Sequence, residues 1–572
     1  MKKLPNGISN YEELIEDGYI YVDKTNYIEK LENLTDKRIM FLRPRKFGKT
    51  LFTSVLENYY DILKSEKFEK LFGETYIGKN PTSKKNSYHI LRFNFSGIST
   101  EDVKSTIQGF KSKVINSIEV FVKRYGLDYY INPEQEAEEI LNSVFKAFSL
   151  QKPNEKIYVI IDEYDHFANE LLGFHTEHFR KLVSKNGKVR KWYEILKEGT
   201  ETVVDRIFIT GVAPITLDSL TSGFNISKDI TQDAEFNEMM GFTKDQLISL
   251  MDSQNISKEE QEEILPIMKK NYDGYRFSIE AKERMYNSNM CLYFLADYVG
   301  LGKILTKLID VNIASDYNKI GKMLDLCKGE KRTEILEKTV SGEGIVSDIT
   351  DKFNPAIEFT EKDLASMLFY LGYLTIEGIE FDYPKLNIPN KAMKEIYSDY
   401  FLKVLNEETQ MSNNMNFVEI TKEIAYEGKI DKIVKVVHKY LNNLSNRDFQ
   451  RFDEKYVKLI FYCLAMSLSF FRVKSEMEVQ RKYPDLLLIP KKEQEKYYGV
   501  MIEFKYLKKE ESNQLSKVQK EARKQIEEYS TFKEIASIPK LRKYTVIAVV
   551  DEIHVEEILW FLYYTEITKI NI

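Results

Sequence analysis

Two places in this sequence gather residues that can handle phosphate. The first is Arg43-Pro44-Arg45-Lys46-Phe47-Gly48-Lys49-Thr50. Backbone amides around Gly48 can bind phosphate oxygens, the Lys49 ammonium can neutralise the β and γ phosphates of ATP, and the Thr50 hydroxyl can ligate Mg2+. The run departs from the GxxxxGK[ST] loop in having Arg43 where the first glycine belongs. Gly-Lys-Thr alone is weak evidence, but Ile157-Tyr158-Val159-Ile160-Ile161-Asp162-Glu163 strengthens it. This apolar strand ends in two carboxylates: Asp162 to hold the magnesium through water, and Glu163 to polarise the water that attacks the γ-phosphate. The competing reading makes both residues caps of the next helix. The nucleotide candidates are therefore Arg45, Lys46, Phe47, Gly48, Lys49, Thr50 and Asp162, with Glu163 catalytic. Thr210, ending a third apolar run, is either a polar sensor beside the γ-phosphate or a strand-terminal threonine bonded to the adjoining turn. A transition-state arginine is expected, and Arg45, Arg206 and Arg276 all qualify.

The second place is Asp485 with Glu503-Phe504-Lys505. Asp485 is expected to end one apolar approach, with Glu503 and Lys505 on the next strand, where residues two apart face the same side. Asp485 and Glu503 would ligate Mg2+, or Mn2+ in its place, because hard cations prefer oxygen donors, while Lys505 would orient the attacking water or stabilise charge on a phosphate. Glu476 and Gln525 are accessory candidates, the latter on a helix whose core face is Leu515, Val518, Ala522 and Ile526. Taken alone, Glu-Phe-Lys more often means an exposed strand ion pair. His166, beside the first pair of carboxylates, is read as a packing or capping residue.

The elements that must position these groups follow from periodicity. Arg38–Leu42, Lys156–Ile161 and Arg206–Thr210 read as buried strands separated by helical patterns, which indicates a parallel α/β sheet. The middle is mostly helical, interrupted by strand-like runs near Gly372–Ile376 and Leu386–Asn390, so a helical lid and a winged-helix-like module both fit. A long apolar helix at Leu459–Phe471 then leads into a second α/β domain. The expected division is 1–235, 236–300 (lid), 301–440 (middle) and 441–572.

Bulk composition narrows the setting. The chain has 572 residues, with 43% apolar and 30% charged content, as in folded globular proteins. A net charge of -6 excludes coating of nucleic acid by bulk attraction and requires any such contact to be local. Cys291, Cys327 and Cys463 form no metal or disulfide pattern. The N-terminus breaks up any signal-peptide core at Leu4-Pro5-Asn6-Gly7, and the longest apolar run is too short to span a bilayer, so a cytoplasmic location is expected.

Several of these stretches, together with Tyr19-Ile20-Tyr21-Val22-Asp23-Lys24-Thr25, Asp162-Glu163-Tyr164-Asp165, Thr210-Gly211-Val212-Ala213-Pro214, Leu220–Ile226 and Tyr272-Asp273-Gly274-Tyr275-Arg276-Phe277, resemble the bacterial AAA-ATPase-like family. The resemblance is tight over residues 4 to 300 and includes the arginine in the loop. It implies a P-loop ATPase core and a C-terminal PD-(D/E)XK, restriction-endonuclease-like domain, a pattern that Pro484-Asp485 and Glu503-Phe504-Lys505 match. The expected function is an ATP-regulated or ATP-driven nuclease acting on DNA or RNA, with a homo-oligomer as a further expectation. The alternatives are a nucleotide-dependent switch whose C-terminal domain binds nucleic acid without cutting, and a phosphotransferase.

Overall fold

Four apolar runs of the N-terminal half, Arg38–Leu42 (β1), His89–Asn94 (β2), Ile157–Asp162 (β3) and Val204–Gly211 (β4), are largely buried, as strands covered on both faces must be. With Lys228–Asp229 (β5) they form one sheet in the order β2-β3-β4-β1-β5, every neighbouring pair parallel. Parallel strands end at the same edge, so the loop after β1 and the carboxylates after β3 emerge side by side, separated only by β4. At the usual strand spacing that is roughly 10 Å. β2 was not foreseen, because Arg92 interrupts its apolar run. That guanidinium turns inward to Glu57 at 3.0 Å, on the helix Lys49–Tyr60 (α1) that follows the loop.

The computed structural model describes residues 2–166, 187–215, 227–304, 320–324, 330–353, 360–411, 415–444, 453–475, 484–491 and 496–558. It divides into two compact units, Met1–Gly329 with Ile345–Ala392, and Glu330–Gly344 with Met393–Ile572. The first unit also contains a small antiparallel sheet, Ile345–Val346 (β6), Thr375–Glu380 (β7) and Tyr383–Asn387 (β8), in the order β6-β8-β7. No helix of the described residues is long and apolar enough to cross a membrane.

The second unit is built on a five-stranded mixed sheet, β13-β12-β11-β10-β9. Its strands are Phe471–Lys474 (β9), Leu486–Pro490 (β10), Gly499–Leu507 (β11), Leu541–Val549 (β12) and Glu552–Glu557 (β13). Only β11 and β12 pair in parallel, and parallel neighbours need a crossover, here the helix Leu515–Ser530 (α3). Ile526 of α3 packs with Leu487, Met501 and Ile535. The helix Glu454–Met466 (α2) faces the sheet through Phe461, whose ring centroid lies 4.6 Å from that of Phe504. The expected apolar helix Leu459–Phe471 thus ends at Met466. Its last residue already belongs to β9, and the chain turns between them at Ser467 and Ser469, the two polar residues of the run.

One side chain fixes the edge of the first sheet where the loop after β1 emerges. Arg43, directly after β1, is 1% exposed. Its Nη1 donates to the carbonyls of Leu42 and Thr231, both at 2.8 Å, and its Nη2 to that of Phe236 at 3.0 Å. The guanidinium carbon lies 4.1 Å from the Phe41 ring centroid and 4.2 Å from that of Phe277, within cation–π range. Burial lowers its pKa to about 9, against the pull of Asp229, so it stays charged at neutral pH. Restoring the loop glycine by Arg43→Gly should therefore destabilise this unit by about 3 kcal/mol or more, because the Thr231 and Phe236 carbonyls and two ring faces lose their partner together. Denaturant midpoints of the two proteins check this, and an unchanged midpoint would remove Arg43 from its anchoring role.

Candidate functional site

The loop turns sharply because Lys46 and Gly48 adopt φ of 68° and 97°, and the second value is one that only glycine tolerates well. Lys49 opens α1 but is 4% exposed, so it is not an exposed loop lysine. Its Nζ folds back on the loop and donates to the carbonyls of Arg43 at 3.0 Å and Pro44 at 3.1 Å. Burial lowers its pKa, opposed by the charges of Glu163, Asp165 and Asp162. Those three carboxylates are the ones that follow β3.

Asp162 is fully buried. Burial raises its pKa, and Arg92, Lys49 and a hydrogen bond from the Thr50 hydroxyl oppose the rise. The Arg92 guanidinium approaches its Oδ2 at 3.5 Å, while its Oδ1 has no hydrogen-bond partner among the described residues. Glu163 has a φ of 54°, a sparsely populated conformation that surrounding structure must impose. Its carboxylate lies 3.3 Å from His166 Nδ1. Burial pushes the Glu163 carboxyl up, but that hydrogen bond and the charges of Lys49, His166 and Arg45 outweigh it and hold the pKa at about 2. His166 is thus a partner of the candidate catalytic carboxylate.

Two neighbours explain why this edge has its form. Asp165 accepts from the amides of Val212 (3.0 Å) and Ala213 (2.7 Å), and the Tyr164 hydroxyl donates to the Ala213 carbonyl at 2.7 Å. These bonds fasten the segment after β4 to the segment after β3. Gly211 is required at the junction, since a Cβ there would meet Asp165 Oδ1 at 2.2 Å.

A cavity of about 460 Å3 opens beside the loop. It is lined by Arg45 to Phe52, Glu163 and His166, and also by Tyr21, Lys24, Met239, Met240 and Phe242. Lys24 was not foreseen as a site residue, although it lies in the Tyr19–Thr25 block that carries part of the family resemblance. Its Nζ donates to the Glu238 carbonyl and Gln246 Oε1, both at 2.7 Å, and burial lowers its pKa to about 7. The loop itself is gripped from behind. Phe47 packs edge-on against Tyr275 and Phe277, and the Lys46 carbonyl accepts from Ser288 Oγ at 3.2 Å.

Other expected residues are placed elsewhere. Thr210 is buried and donates its hydroxyl to the Phe41 carbonyl at 2.8 Å, which is a bond between neighbouring strands rather than one aimed at a phosphate. Arg276 donates through Nε to the Ile376 carbonyl at 3.1 Å, tying it to β7. Arg206 sits near the start of β4, opposite Tyr158, at the far edge of the sheet. Of the three arginines considered, Arg45 is the one that lines the cavity. Leu220–Ile226 and Glu476 lie outside the described residues.

In the second unit Asp485 immediately precedes β10 instead of ending a strand. It is 5% exposed and Glu503 is 2% exposed. Asp485 Oδ2 accepts from the Phe504 amide at 2.7 Å, and Glu503 Oε1 accepts from Lys505 Nζ at 2.9 Å. Burial raises the pKa of both carboxyls, and the charge of Asp485 pushes Glu503 further up. Glu503 Oε2 has no hydrogen-bond partner among the described residues. Met501, Glu503 and Lys505 share one face of β11, the face that α3 covers through Ile526. Gln525 lies next to Ile526 on α3, and its Oε1 is likewise buried without a hydrogen-bond partner among the described residues.

Two residues of this site were missed entirely, Glu454 and Lys458 of α2. Lys458 Nζ lies 2.6 Å from Asp485 Oδ1 and 2.7 Å from Glu454 Oε1. The only local signal, a Glu and a Lys four apart on a helix, is common on any solvated face. Among the described residues no three His, Cys, Asp or Glu side chains converge as metal ligands. Asp485 and Glu503 would therefore hold a divalent ion together with backbone or water oxygens.

Comparison with known proteins finds a family match in each half of the chain. Residues 5–221 match the family described as "Predicted AAA-ATPase", and residues 452–557 match the PD-(D/E)XK nuclease superfamily. The chain is 24% identical over 398 residues to the "Uncharacterized protein in vnfD 5'region" of Azotobacter chroococcum mcd 1, an alignment that covers 66% of this chain. It spans 65% of the length of that curated relative. The solved ADPNP-ADP complexes of the Aeropyrum pernix ORC2 protein align with 69% of this chain and 93% of theirs at 10% identity and a TM-score of 0.25, too loosely to carry an argument. The chain thus carries an N-terminal segment that matches the predicted AAA-ATPase family and a C-terminal segment that matches the PD-(D/E)XK nuclease superfamily.

Proposed function

We propose that this protein binds ATP with magnesium in the cavity beside Lys49 and hydrolyses it, and that its C-terminal domain cuts phosphodiester bonds of DNA or RNA with a divalent metal. One observation carries the reading. In each unit a buried carboxylate near a lysine keeps an oxygen without a hydrogen-bond partner among the described residues: Asp162 Oδ1 near Lys49, and Glu503 Oε2 beside Lys505. A buried oxygen left unsatisfied is costly, and a hard cation is the ligand that such an oxygen suits.

In the first site Lys49 would leave the Arg43 and Pro44 carbonyls to neutralise the β and γ phosphates, and Thr50 and Asp162 are the residues that would hold a magnesium ion. Glu163 positions and polarises the attacking water, and Arg45 faces the developing charge. The mixed apolar and polar lining that Met239, Met240 and Tyr21 add to the cavity suits the flat face of a purine. In the second site a bound metal supplies Lewis-acid charge at the phosphate. Asp485 and Glu503 hold it, and Lys505 orients the water and stabilises the charge that grows on the phosphate oxygens. A second reading, binding of nucleic acid without cutting, draws support from Lys458, which is bonded to an Asp485 oxygen that the metal would need. Cleavage assays with magnesium or manganese separate the two.

Lys49→Ala should keep the fold and lose ATP hydrolysis by a factor on the order of 100 or more, the scale of one lost transition-state donor. A thermal melt beside the phosphate-release assay checks it, because the loop carbonyls lose a donor as well. Glu163→Gln should bind ATP nearly as wild type while turnover falls by about 10²- to 10⁴-fold, the contribution of a general base. Equal loss of binding and turnover would make Glu163 structural.

The nuclease triad separates in the same way. Asp485→Ala should lose Mn2+ affinity and cleavage together. Lys505→Ala should keep or tighten Mn2+ binding while cleavage drops by about 100-fold. Normal cutting by the lysine variant, measured beside calorimetric titration, would reassign the C-terminal domain to binding.

A further inference from the structure

The candidate nuclease site holds a lysine that the cleavage reading leaves idle. Asp485 has two oxygens. The backbone takes Oδ2 through the Phe504 amide at 2.7 Å, and Lys458 Nζ takes Oδ1 at 2.6 Å. The same ammonium lies 2.7 Å from Oε1 of Glu454, four residues earlier on α2. Lys505 Nζ reaches Glu503 Oε1 at 2.9 Å and Glu454 Oε1 at 3.9 Å. Glu454, Asp485 and Glu503 are thus balanced by two ammonium groups, and a buried carboxylate needs such balance.

The geometry points to Lys458 as the resident counter-cation of the metal position, an ammonium that must leave Asp485 Oδ1 before that oxygen can ligate a divalent ion. This inference rests on the nuclease reading of Asp485 and Glu503. A magnesium-type ion sits about 2.1 Å from its oxygen ligand. An ammonium on that same oxygen would then be only a few ångströms from the dication, and the two repel strongly in a partly dehydrated site. Lysine suits an exchange of this kind, because its point charge rides on a flexible four-carbon stem. Lys458 also keeps a partner after exchange, since Glu454 is on the same turn of α2 and does not depend on Asp485. The fit of a second cation to the pair is independent of activity, so it is measurable without substrate.

The test is calorimetric titration of Mn2+ into the full-length chain without nucleotide, with Asp485→Ala defining how much of the heat belongs to this site. Lys458→Met removes the competing charge and keeps the aliphatic stem. Its Mn2+ affinity should rise about ten-fold or more, as expected when a charged competitor is removed from a partly buried site. Its metal-free form should melt below wild type and recover when Mn2+ is added. Lys458→Gln should move affinity in the same direction if methionine perturbs packing, whereas Lys458→Arg, which keeps the charge, should not tighten binding. Mn2+ binding by both Lys458→Met and Lys458→Gln no tighter than wild type would overturn the exchange and leave Lys458 a structural partner. Undiminished binding by Asp485→Ala would overturn the metal site itself and this inference with it.

Discussion

A buried guanidinium governs the arrangement of the N-terminal unit. Arg43 is a buried cation directly after β1, held by carbonyl oxygens and ring faces. Carbonyl dipoles are weaker partners than a carboxylate, so the arginine is kept only if several converge on it. That requirement brings Thr231, Phe236 and Phe277 to the end of β1. Phe277 also packs on Phe47, and Phe47 belongs to the phosphate loop. The loop and the elements that enclose the cavity are therefore ordered by one shared centre, and a glycine at this position would supply none of it.

Both candidate sites solve one electrostatic problem in similar ways. Carboxylates able to hold a hard cation must be dehydrated to be selective, yet dehydration raises their pKa and destabilises the charged form. The protein answers with nearby positive charge. Arg92 and Lys49 act on Asp162, Lys458 on Asp485, and Lys505 on Glu503. Glu163 goes the other way, because His166, Lys49 and Arg45 outweigh its burial and keep it ionised. The adjacent carboxylates Asp162 and Glu163 are thus pushed apart in pKa, Asp162 upward by burial and Glu163 downward by its charged neighbours.

How far these features were legible follows from the sequence distance between the groups involved. The loop from Arg43 to Thr50, the strand ending at Asp162 and Glu163, and the pair Glu503 and Lys505 are contiguous motifs. Their strand or helix setting could be read from residue type and period alone. The α/β class followed from the same patterns. β2 stayed hidden because Arg92 breaks its apolar run for a partner on α1, and β9 because it shares an apolar run with α2.

What only the tertiary structure decided is which distant residues complete each site. Lys24 enters the cavity wall through bonds to Glu238 and Gln246, more than two hundred residues away. Thr210 spends its hydroxyl on Phe41, and Arg276 its guanidinium on Ile376. Lys458 meets Asp485 only because α2 packs over the sheet. A sequence determines local conformation and the chemical inventory, since both depend on neighbours along the chain. Side-chain partners are chosen by the competition for hydrogen bonds in a dehydrated interior, and that competition is settled only when the sheet has closed.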